Sequence, residues 1–151
     1  MITHKDIEKY ATKGEKEFLK EIVDNTDYAT RNKIIAPYLY RPFNFVKDYK
    51  KFSKLPLAVV KQLTKLGFIE LQDSQNGSPT NEEMLEFVKK HPRFTFHGYL
   101  ITELRPDTRI SFEGVECIGA YTKKTLTDFG QLFRDADNFV VENNKLYCWY
   151  D

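Results

Sequence analysis

Residues 31–69 hold nine basic side chains (Arg31, Lys33, Arg41, Lys47, Lys50, Lys51, Lys54, Lys61 and Lys65) against one acid, Asp48, in a chain of formal net charge +1. The compensating acids lie on either side. Residues 1–30 carry five lysines against seven acids, and residues 70–151 carry nine Lys or Arg against fourteen. A cluster of this sign binds anions, and where it meets phosphates each neutralised contact releases counterions. The sequence therefore predicts a non-catalytic module for an acidic partner, nucleic acid or an acidic protein, held by Arg41, Lys47, Lys50, Lys51, Lys54, Lys61 and Lys65. The plain alternative is a solvated lysine face on an ordinary helix.

Aromatic residues make up 15% of the chain, so most must serve a core. Tyr38, Tyr40, Phe43 and Phe45 interleave with Arg41, a mixture that can stack bases in a single-stranded site. Tyr147 and Trp149, near the C-terminus, support a second reading in which an aromatic sheet docks another protein or a second copy of the chain. Catalysis has weaker support. His97 with Cys117 is a conceivable base and nucleophile, but a strand histidine is usually structural, and Asp135 and Asp137 suit caps and turns. No GxGxxG, P-loop, GxSxG, CxxC or HExxH pattern occurs, so no catalytic residue, metal site or cofactor is assigned. An uncharacterised small enzyme ranks third.

The elements that must position these residues read as an α+β protein: a helical portion over residues 1–67, then an antiparallel sheet of four to five strands with two helices over residues 68–151, the two sharing one core. Helix signals occupy the first 24 residues, and a further helix bearing Ile34 and Ile35 must stop near Ala36, because Pro37 disfavours helical geometry before it. Over residues 42–52, Phe45, Tyr49 and Phe52 fall at i, i+4 and i+7 with lysines opposite, which predicts a basic amphipathic helix. A second helix follows Pro56 and ends at Gly67, and the pair has the order of a helix-turn-helix.

Beyond Gly67 the pattern gives a short strand at residues 68–71, a turn at 73–78, and a helix opened by the Thr80/Glu83 capping box. Strands at 93–102 and 109–118, a helix at 122–134 and a hairpin at 138–150 follow, an order that contains βαββαβ. In FVVENNKLYCWY, a two-residue Asn143-Asn144 turn of type I′ sets Glu142 opposite Lys145 and Val141 opposite Leu146. Cys117 and Cys148 fall in strands and read as buried, reduced thiols. No apolar run approaches the roughly 20 residues of a membrane span, so the expected address is the cytoplasm, with no membrane partner.

Overall fold

The computed structural model describes Lys9, residues 28–40 and residues 48–151. The helix signals before residue 28, and Arg41 and Lys47 with most of the expected basic helix, lie outside the described residues. In chain order the elements are α1 (Ala29–Ile35), a single 3₁₀ turn (Ala36–Tyr38), β1 (Tyr49–Leu55), α2 (Leu57–Lys65), α3 (Asn81–Lys90), β2 (Thr95–Ile101), β3 (Arg109–Ile118), α4 (Lys123–Phe133), β4 (Asn138–Glu142) and β5 (Lys145–Trp149). The five strands form one antiparallel sheet in the order β1-β2-β3-β5-β4, so the protein is α+β. Among the described residues no helix is long and apolar enough to cross a membrane.

The helices lie against one face of the sheet, which the alternation of each strand makes apolar. Phe52, Phe96, Leu100, Ile110, Phe112, Val115, Leu146 and Cys148 meet Val60, Leu63, Met84, Phe87, Phe129 and Phe133 in one buried cluster that draws on elements either side of Gly67. Aromatic packing dominates it. Phe94 stacks on Phe129 with centroids 5.6 Å apart, and Phe87 meets Phe133 edge-on at 5.1 Å. Gly98 stands between Phe52 and Phe112 in the strand register, and these two rings close over it at 6.2 Å.

Local signals explain most boundaries. The Thr80/Glu83 capping box is fully formed, Thr122 caps α4 through the Thr125 amide, and Gly67, at φ +84°, lets the chain turn away after α2. Residues 73–78 turn through Asn76 and Gly77, both at positive φ. The hairpin pairs as its alternation predicts, Phe139 opposite Cys148, Val140 opposite Tyr147, Val141 opposite Leu146 and Glu142 opposite Lys145.

Four expectations are corrected. Residues 49–55 are a strand, not the end of a basic helix, so no helix-turn-helix exists there. The apolar spacing of three and four suits a helix, and the ladder overrides it: β1 pairs along β2, which sets Tyr49 and Phe52 on opposite faces, and a bulge before Leu55, with Lys54 at φ 57°, keeps both Phe52 and Leu55 fully buried. Residues 68–71 form no strand. Without that strand the βαββαβ order beyond Gly67 is lost: the sheet runs β1-β2-β3-β5-β4, with β1 and β2 direct neighbours rather than parted by a third strand as a βαβ crossover would leave them. The Asn143-Asn144 turn is not type I′, because Lys54 and Asn76 are the non-glycine residues with positive φ among the described residues. Tertiary bonds fix this turn instead: the Gly119 amide donates to the Asn144 carbonyl at 2.7 Å, and the Tyr121 hydroxyl to the Glu142 carbonyl.

Candidate functional site

The face of the sheet turned away from the helices carries Lys51 opposite Tyr99, Tyr99 opposite Ser111, His97 opposite Gly114, Glu116 opposite Tyr147 and Tyr147 opposite Val140. Its centre is built around His97, which is 4% exposed. The imidazole lies across β3, over Gly114, and its Nε2 reaches the Cys148 carbonyl of β5 at 2.7 Å. A carbonyl only accepts, so Nε2 carries the proton. The Tyr147 and Trp149 rings stack on the imidazole at 4.8 and 5.1 Å, with interplanar angles of 26° and 17°.

Around this stack the aromatics continue edge to face. Tyr99 meets Trp149 at 5.5 Å and Tyr49 meets Tyr99 at 5.4 Å, while Trp149 Nε1 donates to Asp151 at 2.8 Å. Lys51 Nζ lies 4.8 Å from the Trp149 centroid and 5.4 Å from that of Tyr40, and Lys145 Nζ lies 5.2 Å from that of Tyr147. Each such cation–π contact contributes about 0.5–1 kcal/mol at an exposed site. Lys51 and Trp149, assigned by sequence to different partners, are thus in contact.

The other predicted site residues are dispersed. Lys50, opposite Leu100, is 7% exposed and therefore no surface cation. Lys54 is exposed at the β1 bulge, and Lys61 and Lys65 are exposed on α2. Arg31 is buried in an ion pair with Glu103. The outer sheet face also carries Glu116, Glu142 and Asp151 beside Lys51 and Lys145, so it has no cationic excess. Glu113 is buried there, accepting from Ser111 Oγ at 2.9 Å, and burial raises its carboxyl above the ordinary range.

Burial lowers the His97 pKa to about 4, because the charged imidazolium would lose its water, and the Cys148 carbonyl offsets this only in part. The native state thus refuses a proton that the unfolded chain accepts. Stability contributed by neutral His97 is complete above pH 6.5 and falls as pH drops from 6.5 towards 4, by roughly 3 kcal/mol at full effect. Urea melts across that range should show the parent losing this much more than His97→Phe, in which nothing titrates. Equal losses would place His97 in contact with solvent.

Sequence reasoning missed a carboxylate–imidazole–hydroxyl series between α3 and α4. His91 Nε2 meets Asp128 at 2.9 Å and its Nδ1 meets the Thr125 hydroxyl at 3.2 Å, beside a groove of about 580 Å³. The order is that of a nucleophilic triad, but Thr125 Oγ1 also bonds Thr122, and the Thr125 amide, a donor an oxyanion would need, is taken by Thr122 Oγ1 at 3.1 Å. The three side chains clasp the end of α3 to α4. Their separation of 34 to 37 positions left no local signal.

Both thiols are free and buried. Burial raises the Cys117 thiol and pushes that of Cys148 up to about 12, so neither presents a thiolate near neutral pH. No protein-family model matches the chain, and no curated protein or solved structure is significantly similar to it.

Proposed function

We propose that this chain is a non-catalytic protein-interaction module whose partner docks on the outer sheet face. The observation that carries the reading is Lys51 lying over both Trp149 and Tyr40. That contact sets a cation within an aromatic surface continued by Tyr49, Tyr99 and Tyr147. Rigid aromatics with a few charges are the composition of interface hot spots. The lack of cationic excess favours a protein over a polyanion as the partner. A polyanion gains most from a run of lysines, whereas Lys51 and Lys145 beside Glu116, Glu142 and Asp151 complement a protein surface of mixed charge.

Trp149 is the only tryptophan and lies beneath Lys51 on this face, 7% exposed, so its emission should report a partner that displaces or covers Lys51. Peptides selected by display against the protein are expected to quench it with little dependence on salt. Lys51→Ala or Tyr147→Ala should weaken them about tenfold, the loss of one contact of about 1.4 kcal/mol. Lys61→Glu/Lys65→Glu should leave them unchanged. An oligothymidylate that binds instead, with affinity falling steeply in salt and lost in Lys54→Glu/Lys61→Glu/Lys65→Glu, would overturn this in favour of nucleic acid on the α2 lysines.

A further inference from the structure

The outer edge of β4 is unpaired among the described residues, since the strand order ends there. Natural edges are blunted by lysine, proline, a bulge or a covering segment. Asn138–Glu142 has no lysine or proline and pairs with β5 without a shift in register. It also exposes two apolar side chains, Phe139 at 36% and Val141 at 46%.

The hairpin fixes which backbone groups face outwards. A two-residue loop closes on a pair that exchanges both hydrogen bonds, here Glu142 and Lys145. Alternation makes Val140/Tyr147 and Asn138/Trp149 hydrogen-bonded pairs as well. The N–H and C=O groups of Phe139 and Val141 therefore point away from β5, on the open edge.

We propose that β4 pairs antiparallel with β4 of a second copy about a two-fold axis through Val140, giving one continuous sheet across a homodimer. This register places each Phe139 opposite the other copy's Val141, so the outward backbone groups meet as hydrogen-bonded pairs. The same register buries both exposed apolar residues against each other, an aromatic with a β-branched side chain. Val140 faces Val140 of the second copy. Each Glu142 faces an Asn138 carboxamide and each Asp137 an Asn143 carboxamide, so no like charges oppose. The interface is isologous, self-complementary in hydrogen bonds, apolar contacts and charge, as a closed two-fold requires. It leaves the aromatic outer face free and does not depend on the function proposed for that face.

An interface of one short strand belongs to the small, weak class, so association should follow concentration. Light scattering is expected to show the mass rising from 17.8 kDa towards twice that value between micromolar and millimolar protein. Val141→Lys, which places a charge opposite Phe139, should stay monomeric while keeping the parent's melting curve. Val140→Cys should form a disulfide-linked dimer under mild oxidation, because a non-hydrogen-bonded pair sets the two Cα atoms about 4.5 Å apart, within disulfide range. The buried Cys117 and Cys148 give little background. A parent that stays monomeric at millimolar concentration would overturn the proposal. So would a dimer that survives Val141→Lys while Val140→Cys fails to cross-link.

Discussion

Gly114→Ala is expected to destabilise the protein by roughly 3–5 kcal/mol, the combined scale of a steric insertion between strands and the loss of a buried hydrogen bond. An added Cβ would stand 1.9 Å from the Cys148 carbonyl oxygen and 2.7 Å from His97 Nε2. The first clash is with backbone and cannot be relieved by a rotamer change, so β3 and β5 must separate. The second drives the imidazole off the same carbonyl, leaving Nε2–H buried and unpaired, and unseats the Tyr147 and Trp149 rings stacked on it. His97→Ala should cost less. The His97→Ala/Gly114→Ala double variant should recover little of the Gly114→Ala loss, because the carbonyl clash remains. Urea melts of the three variants decide this, and a Gly114→Ala loss below about 1 kcal/mol would mean that the strands have room the structure does not give them.

How far such a site can be read from sequence depends on how local its causes are. The hairpin faces were legible because alternation over residues 138–149 has a single apolar solution, and α3 because Thr80 and Glu83 satisfy each other within one turn. Residues 49–55 were not legible. Tyr49 and Phe52, three positions apart, fit a helical face, and only the ladder with β2, more than 40 positions away, selects a strand that sets them on opposite faces. The Asn143-Asn144 turn misled for the same reason. Asn tolerates positive φ, but the bond from Gly119, 25 positions earlier, holds a different geometry. The aromatic outer face was named in fragments. Tyr147 and Trp149 were singled out, and so was Lys51, but the two rings, His97 under them and Gly114 under His97 come from three strands, and a single sequence does not show which strands are neighbours.

The second large effect is expected at Glu103, where replacement by Ala should cost about 3–5 kcal/mol by leaving a buried charge without its partner. Arg31, on α1, is 1% exposed. Its Nη2 donates to Glu103 Oε1 at 2.7 Å, Nη1 to the Thr108 hydroxyl at 3.0 Å and Nε to Asn32 at 3.1 Å, with the guanidinium 4.2 Å from the Tyr28 ring centroid. Burial lowers the Arg31 pKa and the Glu103 carboxylate opposes that shift, but a guanidinium does not give up its proton in a protein. Without Glu103 the charge must stay in place, unpaired. Arg31→Met should cost less, because the surviving carboxylate is 9% exposed and can draw in water. Arg31→Met/Glu103→Met should fall nearer the parent than Glu103→Ala, since replacing both members of a buried pair removes their desolvation cost together. Salt separates this pair from a surface contact. Exposed charges are screened over about 3 Å at 1 M ionic strength, so a surface pair would lose its effect there, whereas the Glu103→Ala loss should persist. If the loss vanishes in salt, Arg31 is solvated and belongs with the exposed lysines. If it persists, part of the positive charge that dominates residues 31–69 holds α1 to the β2–β3 connection and is not available to any partner.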